Sequence, residues 1–445
     1  MGLVGGAFLL FLPFILVALS FVWNRPKLGV WGALIMNFIA AGLARYVEAP
    51  WGLSVDIMLA LSWLSVILNK KVNFKKKHLK NDIVWINLVW MGYLLLEIVN
   101  PAGNGPIAWF YAMRGIGFYT VLTIPLVYIL FREDKDVHTF MKLLIGFSLL
   151  ATLWGYKQNV IGLDAAENYW MYDLEHADEH LLHGVLRTFS FYSDAGAFGA
   201  SQAMMTLLCG ILTLGPFPMR QRIWYSICAI IFLTGFGISG TRGALMVPFA
   251  GAIAYVVLIK NFKILAAGVS SMIVVFVILK YTFMFQGVEQ VRRMRTALDP
   301  HNKSLSVRLD NQKTFARYLS NKPFGGGVGT AGFWGARFNP TSLMANTATD
   351  SWYVKIWAET GVVGLSLHLM IIGYTLGKAG HRIMSAPNSK RKYYAMAFYA
   401  SFVGVAFASY GNQVLGQMPT GAIINMMIPF IFLLTRFKFQ EEKTS

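Results

Sequence analysis

Runs of about 20 apolar residues recur along the whole chain, and each is long enough to cross a hydrocarbon core about 30 Å thick as a helix. Of the 445 residues, 56% are hydrophobic and only 13% are charged, whereas about a quarter are charged in an average soluble domain. A soluble protein of this size would not need so many apolar runs. The sequence therefore predicts an all-α, polytopic transmembrane helical bundle that forms a single integral membrane domain over 1–445.

About 13 segments (12–14) are predicted to span the membrane. They are 3–22, 28–44, 52–68, 83–99, 109–131, 138–156, 195–215, 222–239, 243–260, 262–283, 351–376, 393–411 and 417–436. The first segment lacks a basic n-region and a small-residue cleavage site, so we expect a retained helix and not a removed signal peptide.

Short basic loops indicate which helix ends face the cytoplasm. Lysines crowd 69–82, and lysines and arginines crowd 377–392. With 69–82 inside, alternation places the other short basic loops inside as well, and the N-terminus outside. This distribution accounts for much of the net charge of +18. No aromatic-interleaved basic motif accompanies the clusters, so nucleic acid is not an expected partner.

Two longer segments are predicted to lie outside: 157–194, which is acidic, and 284–349, which is basic. A loop longer than about 60 residues is exempt from the positive-inside rule. The basic excess of 284–349 therefore indicates either an anionic substrate or a solvated loop that touches anionic headgroups.

The basic segment contains two recognisable features. Positions 305–320 have the apolar spacing of an amphipathic helix that lies on the membrane surface. Pro323 ends this helix, and the glycines of 325–329 form a turn. Backbone N–H groups of such a turn can approach phosphate oxygens. The Lys-Ser/Thr continuation of a P-loop is absent, however.

A charged residue in or beside a membrane span costs free energy to place there, so such residues are candidates for function. Most are predicted at outer helix ends: Glu48, Asp56, Glu97, Arg114, Arg242, Lys280 and Glu359. A proton-coupled transporter would instead place acids near the midplane. An outer-interface site suits an enzyme whose substrate is anchored in the outer leaflet.

Arg242 is the strongest single candidate for a functional residue. It lies in the sequence Ser-Gly-Thr-Arg-Gly-Ala between two spans. Its small neighbours leave the guanidinium unobstructed, and a planar charged fork is suited to bidentate phosphate binding. The alternative is a snorkelling arginine at a helix end. Arg187, before the seventh span, either pairs with acids of its own loop or shares an anion with Arg242. Asp194 is predicted to cap the following helix.

No metal site or disulfide is expected. His176, His180 and His183 fall on roughly one helical face, but they lack the His-Glu-x-x-His order. A solvated face is favoured over a metal site there. Cys209 and Cys228 both lie within apolar spans, which excludes a disulfide framework and a paired-cysteine metal motif.

Asp350 opens the eleventh span, and Glu359 follows nine residues later. That spacing gives about 13 Å of helical rise and places the two acids about half a turn from eclipsed, so they cannot act as a carboxylate pair. Asp350 can reach the aqueous boundary. Glu359 is expected to brace neighbouring helices through hydrogen bonds, and Gly361 and Gly364 to allow close packing.

The order of these features resembles the O-antigen ligase and O-antigen polymerase superfamily. The resembling elements are Ser-Gly-Thr-Arg242-Gly-Ala, the Arg308-led segment that runs into Pro323-Phe-Gly-Gly-Gly-Val-Gly-Thr, and Trp352-Tyr followed by Glu359-Thr-Gly-Val-Val-Gly. They cover about 239–376, and Arg187-Thr-Phe-Ser-Phe is a weaker match that extends the catalytic region to about 187–376.

The resemblance implies a metal-independent glycosyltransferase without cofactors in the bacterial cytoplasmic membrane, with its active site outside. Its partners would be an undecaprenyl-pyrophosphate-linked glycan as donor, a glycan or lipid acceptor, and membrane lipids. Arg242 and Arg187 would serve catalysis and, with Arg308 and Arg114, bind the pyrophosphate. Asp350 would accept the proton of the attacking hydroxyl.

Two rival functions remain open on these residues. The ligase branch carries a functional histidine where this chain has Asp350, which favours a polymerase over a ligase that transfers glycan to a lipid A core or another acceptor. A transporter of polysaccharide or lipid-linked oligosaccharide would need a polar path through the bundle.

Overall fold

The computed structural model describes residues 19–72, 74, 79–174, 176–182, 184–260 and 303–436, with scattered positions between 270 and 295. Most of the predicted spans 3–22 and 262–283 lies outside the described residues, as do His183 and most of 284–302.

The described part of the chain is helical almost throughout. In order, its helices are α1 (Pro26–Tyr46), α2 (Gly52–Leu68), α3 (Asp82–Leu96), α4 (Pro106–Met113), α5 (Tyr119–Leu130), α6 (Asp134–Tyr156), α7 (Ala165–Asn168), α8 (Ala177–His180), α9 (Ala195–Thr213), α10 (Met219–Ser239), α11 (Met246–Ile259), α12 (Lys303–Tyr318), α13 (Gly332–Phe338), α14 (Leu343–Asn346), α15 (Trp352–Ser385), α16 (Lys390–Ala408) and α17 (Thr420–Leu434).

Shorter elements join or extend these helices. Turns of 3₁₀ helix cover Glu97–Val99, Arg242–Leu245 and Val414–Gly416, and π-helical turns cover Arg114–Phe118, Lys157–Ile161 and Tyr169–Asp173. Two-residue strands, β1 (Leu181–Leu182) and β2 (Val185–Leu186), pair antiparallel with Leu181 opposite Leu186.

Eight helical segments among the described residues are long and apolar enough to cross a membrane. They are Pro26–Tyr46, Asp82–Val99, Pro106–Leu130, Asp134–Ile161, Ala195–Thr213, Met219–Ser239, Arg242–Ile259 and Trp352–Ser385. Two shorter apolar helices, α2 and α17, and the 19-residue α16 lie at three further predicted spans. Eleven of the predicted spans thus coincide with described helices, and the all-α polytopic fold is confirmed.

Two helices run past the predicted ends of their spans. Helix α15 continues to Ser385, nine residues beyond 376, because its last turns are polar and hydropathy locates only the apolar part. The helix that begins at Asp134 continues through a π-helical turn to Ile161, which takes residues 157–161 out of the predicted external loop.

Side-chain caps account for several helix starts. The Asp194 carboxylate accepts the N–H of Ala197 at 2.9 Å, as predicted. Ser351 and Ser389 cap α15 and α16 by accepting the N–H groups of Val354 and Lys392. Because Ser351 is the cap, Asp350 lies just outside α15, at the polar start of the helix.

Helix α9 forms the centre of the bundle and packs against α10, α11 and α16. Its small residues permit close approach, since a Cβ atom on Gly199 would overlap the side chain of Ser239 at the end of α10. Gly251 of α11 and Gly404 of α16 likewise lie against backbone of the facing helix. The tight packing fixes the turn that joins α10 to α11 over the first turns of α9.

Candidate functional site

The turn that carries Arg242 is held rigidly. Helix α10 ends at Gly240, which has a φ of 59° in the left-handed region that favours glycine. The buried hydroxyl of Thr241 donates to the carbonyl oxygen of Ala195 at 2.8 Å. Arg242 then begins a 3₁₀ turn and is half-buried. The small residues around Arg242 therefore form the turn itself.

Arg187 lies beside the same turn. Its Nη2 atom donates to the hydroxyl oxygen of Thr241 at 3.3 Å. The backbone N–H of Arg187 donates to the carbonyl oxygen of His180 at 2.8 Å, which anchors the strand end before it. This contact places Arg187 beside the residue that precedes Arg242, as the sharing of one anion by the two arginines would require.

Two acids of the 157–194 segment, Asp164 and Glu167, pair with a lysine of the same segment. Lys157 forms ion pairs with Asp164 at 2.9 Å and with the buried Glu167 at 2.7 Å. Burial alone would raise the pKa of Asp164, but hydrogen bonds from Tyr46, the Glu167 backbone and Lys157 lower it to about 2. These acids therefore form a structural cluster of their own.

Sequence reasoning missed Arg45, which organises the segment between Arg187 and Asp194. The buried guanidinium donates to the carbonyl oxygens of Ser190 at 2.7 Å and of Tyr192. It also lies 4.4 Å from the ring centres of Trp170 and Phe189. The sequence did contain a signal for Arg45, because it is a charged residue next to the end of a predicted span. The alternation of basic loops places that end of the second span outside.

Arg308 and Asp350 form a second charged group. The Nε atom of Arg308 lies 3.5 Å from Oδ2 of Asp350, and both side chains are about one third to two fifths exposed. Arg308 is on α12, and Phe315 of this helix and Leu319 just after it are buried in a cluster with Val354 and other residues. The predicted amphipathic helix at 305–320 is confirmed, but part of its apolar face packs on protein and not on lipid.

The segment 409–417 joins the two charged groups, and sequence reasoning missed it as well. A Cβ atom on Gly411 would lie 3.9 Å from Nη1 of Arg308 and 3.9 Å from the Cα atom of Gly243. A Cβ atom on Gly243 would lie 3.2 Å from the amide nitrogen of Asn412. Arg308 and the Arg242 turn therefore approach the same short segment from two sides.

Side-chain amides fix this connecting segment. Gln413 donates to the carbonyl and hydroxyl oxygens of Thr349, at 3.0 Å each. Gln417 donates to Oδ2 of Asp194 at 3.0 Å. The signal for this segment was the motif Gly-Asn-Gln-Val-Leu-Gly-Gln at 411–417, which places three side-chain amides between two apolar spans.

Glu359 lies apart from these charged groups. Its side chain is fully buried, and Oε1 accepts the N–H of Ala331 at 3.3 Å. Its Oε2 atom has no hydrogen-bond partner among the described residues. The carbonyl oxygen of Glu359 accepts the N–H of Gly327 at 2.9 Å. Glu359 thus holds the glycine turn against α15.

The glycine turn at 325–329 packs against α15 in this structure. Gly326 and Gly327 are buried, and their N–H groups donate to the carbonyl oxygens of Ala358 and Glu359. The hypothesis that these two N–H groups approach a phosphate is therefore wrong, because they are already used. Gly361 interrupts α15 with a φ of 66°, and a Cβ atom there would overlap the carbonyl oxygen of Pro323.

Gly364 permits a close helix contact. A Cβ atom on Gly364 would lie 2.8 Å from the ring of Tyr93 on α3. The Tyr93 hydroxyl donates to the carbonyl oxygen of Thr360 at 2.6 Å. The predicted role of both glycines in close packing agrees with these positions, although Gly361 meets the 323–325 turn and not a neighbouring helix.

Arg114 is placed differently from the other three candidate arginines. It forms an ion pair with Asp56 at 2.5 Å and donates to the Gly52 carbonyl and the Tyr119 hydroxyl. The contacts with Asp56 and Gly52 join α2 to the helix that carries Arg114. Among the described residues, the structure does not bring Arg114 into contact with Arg242.

Two histidines of the acidic segment, His176 and His180, pack against aromatic rings and do not form the solvated face that was predicted. His180 is buried, with Trp170 and Phe189 at ring-centre distances of 5.1 and 4.9 Å. Burial lowers the pKa of His180 to about 4. His176 stacks on Trp170 at 4.3 Å. In the part of the chain that the structure describes, no group of three or more metal-binding side chains is found.

The chain was also compared with known proteins. Residues 227–369 match the sequence profile of a protein family described as O-Antigen ligase. This range includes Arg242, Arg308, Asp350 and Glu359, and it confirms the resemblance to the O-antigen ligase and polymerase superfamily. No match was found among curated proteins.

Proposed function

We propose that this multi-pass membrane protein is a glycosyltransferase whose donor is an oligosaccharide carried on undecaprenyl pyrophosphate. The observation that supports the proposal most strongly is that the Arg187–Thr241 contact and the Arg308–Asp350 pair converge on the segment 409–417. Two cationic groups and one half-exposed carboxylate thus share one end of the bundle. Enzymes of the matched family act on lipid-linked glycans and acceptors, which agrees with this arrangement in kind.

In this proposal, the arginines bind the pyrophosphate. Arg242, Arg187 and Arg308 come from three separate segments, so they can contact an anion from different directions. A guanidinium matches phosphate oxygens bidentately, and its charge stabilises the pyrophosphate as negative charge develops on leaving. These arginines take the place that a divalent metal has in many sugar-nucleotide enzymes. We assign Arg114 to the bundle wall, because its contacts with Asp56 and Gly52 hold it against α2.

Asp350 is the proposed general base. The acceptor hydroxyl oxygen forms a bond to the anomeric carbon of the donor, and the bond from that carbon to the phosphate oxygen breaks. The hydroxyl proton passes to Asp350, and undecaprenyl pyrophosphate leaves with the electron pair. Arg308 positions the carboxylate, since its Nε lies 3.5 Å from Oδ2. A half-exposed carboxylate at the helix start is accessible to a sugar hydroxyl from the aqueous side.

We propose polymerisation of repeat units as the reaction, and ligation to a lipid A core or another acceptor as the alternative. The observation that favours polymerisation is that Asp350 stands where the ligase branch has a histidine. Both reactions use the same donor site and differ in the acceptor. A transporter of lipid-linked glycan is the third candidate, and it would produce no new glycosidic bond.

A reaction of the purified full chain with a defined undecaprenyl-pyrophosphate-linked repeat unit tests the proposal. Chains of two or more repeat units on the lipid, analysed by mass spectrometry, would support a polymerase. Product that forms only when lipid A core is added would support a ligase. Intact donor in both reactions, together with movement of donor across proteoliposome membranes, would contradict an enzymatic function.

The proposed location is the outer face of the bacterial cytoplasmic membrane, and labelling of single cysteines tests it. Asn321→Cys is placed on the predicted outer side, and Lys70→Cys and Asn388→Cys on the cytoplasmic side; all three positions are exposed. The native Cys209 and Cys228 are buried. A membrane-impermeant maleimide should modify only the first variant in intact cells, and labelling of Lys70→Cys would contradict the topology.

A further inference from the structure

A cavity of about 740 Å³ lies far from the candidate site. It is formed by the start of α6, the turn between α15 and α16, and the end of α17. Helix α16 runs from this cavity to Ser409, which contacts Trp352 at the candidate site. Nineteen helical residues therefore separate the cavity from that site, which corresponds to about 28 Å.

The cavity is strongly cationic. Four basic side chains line it, namely Lys390, Arg391, Lys392 and Arg436. One acid, Asp134, also lines it, and both its oxygens accept from Arg391 at 2.9 and 2.5 Å. That ion pair holds the guanidinium in place and neutralises one charge. Three positive charges remain without an acid among the residues that line the cavity.

The cavity also has an apolar wall. Tyr394, Leu434 and Val137 line it and are buried, and each belongs to a helix of the bundle. The backbone of α16 begins at Lys390, so the positive end of its helix dipole faces the same space. A ligand of complementary chemistry therefore has an anionic head and an apolar body.

We propose that this cavity binds the phosphate-bearing headgroup of an anionic phospholipid. Basic pockets between transmembrane helices are suited to such headgroups, and a volume of 740 Å³ is within the range of small-ligand sites. A soluble phosphate would use the same cations but not the apolar wall. The cavity lies at the ends of three bundle helices, as expected of a headgroup site in a multi-pass membrane protein.

Native mass spectrometry of the delipidated full chain tests this proposal. Phosphatidylglycerol is the anionic probe, and phosphatidylcholine is the zwitterionic comparison. We expect phosphatidylglycerol to bind the native protein at least about tenfold more tightly than phosphatidylcholine, since each basic residue near an anionic headgroup contributes about 1 kcal/mol. Lys390→Gln combined with Arg436→Gln should remove most of that preference.

Two control variants make the test specific. Lys70→Gln with Lys71→Gln removes the same charge from exposed positions that do not line the cavity, and the preference should remain. Lys390→Arg with Arg436→Lys keeps the charge in the cavity and should retain binding. An equal loss in the Lys70/Lys71 variant would show general attraction and overturn the proposal. Displacement of the lipid by equimolar inorganic phosphate would also overturn it, in favour of a soluble anion.

Discussion

Arg187 donates a hydrogen bond to the hydroxyl of Thr241 at 3.3 Å, although the two residues are 54 positions apart. Thr241 in turn donates to the carbonyl oxygen of Ala195, at the start of the central helix α9. One hydroxyl therefore ties the 157–194 segment, the Arg242 turn and the core of the bundle together. Through this contact Arg187 lies beside the turn that carries Arg242.

We expect Arg242→Lys to reduce glycan product by about a hundredfold, because a point charge does not reproduce a bidentate guanidinium. Product would be quantified by mass spectrometry after reaction with the lipid-linked repeat unit. Protein yield and melting temperature should stay near those of the native chain, since the half-buried Arg242 side chain is not part of the hydrophobic core.

Arg220→Lys is the matched control for Arg242. Arg220 is exposed near the opposite end of α10, where α10 begins. The same chemical change should leave product formation unchanged there. Normal product formation by Arg242→Ala would show that Arg242 only extends to the membrane surface from a helix end.

Much of the fold could be predicted from the sequence, because apolar length and the placement of basic loops are local signals. The Asp194 cap was predicted for the same reason, since a cap and its partner are three residues apart. The prediction that the charged candidates lie at one end of the spans came from the alternation of successive span ends. Their mutual distances did not follow, because no local pattern encodes them.

The missed residues make long-range contacts. Arg45 donates to Ser190, 145 positions away, and Gln417 donates to Asp194, 223 positions away. Neither contact has a periodic signature, and both depend on which helices are neighbours. The 325–329 turn was misjudged because glycine permits a phosphate approach and a close backbone contact equally well, and only the packing against Gly361 distinguishes them.

Gly361→Ala should destabilise the protein. The φ of 66° is unfavourable for a residue with a Cβ atom, and that atom would overlap the carbonyl oxygen of Pro323. A strained position of this kind costs of order 1–3 kcal/mol, so we expect a melting temperature several degrees lower in detergent. The loss should exceed that of an ordinary helical substitution.

Gly373→Ala on the same helix provides the comparison. A Cβ atom on Gly373 meets nothing within 4 Å, and alanine is the better helix former. Its melting temperature should equal or exceed that of the native chain. Equal melting temperatures for the Gly361 and Gly373 variants would contradict the role of Gly361 in packing the 323–325 turn.

Acid should destabilise the 157–194 segment through His180. Burial lowers the pKa of His180 to about 4, below the ordinary value of 6.5. Between these two values the unfolded chain binds a proton that the native chain does not, so the free energy of unfolding falls as the pH decreases from 6.5 towards 4. Above pH 6.5 His180 is unprotonated in both the native and the unfolded chain, so this loss of stability is absent.

Melting temperatures measured across that pH range test the role of His180. His180→Phe keeps an aromatic ring between Trp170 and Phe189 but removes the titrating group, so its melting temperature should depend less on pH. His381→Gln, at an exposed position on α15, should retain the native dependence. Identical pH profiles for the native chain and His180→Phe would contradict the prediction.

The final prediction separates Asp350 from Glu359. Asp350→Asn keeps the shape of the side chain but removes the basic carboxylate, so product formation should fall to background while the melting temperature changes little. Glu359→Gln should retain part of the product, because an amide can still accept the Ala331 N–H. Its change should appear mainly in melting temperature and yield, since Glu359 is fully buried.

Donor binding, measured with fluorescent undecaprenyl-pyrophosphate-linked glycan, completes the comparison. Asp350→Asn should bind donor about as well as the native chain, because the pyrophosphate is assigned to the arginines. Arg308→Gln should weaken donor binding, whereas Arg317→Gln, exposed on the same helix, should not. Near-normal product from Asp350→Asn would show that the proton acceptor is another group, and would leave arginine electrostatics as the main contribution of this site.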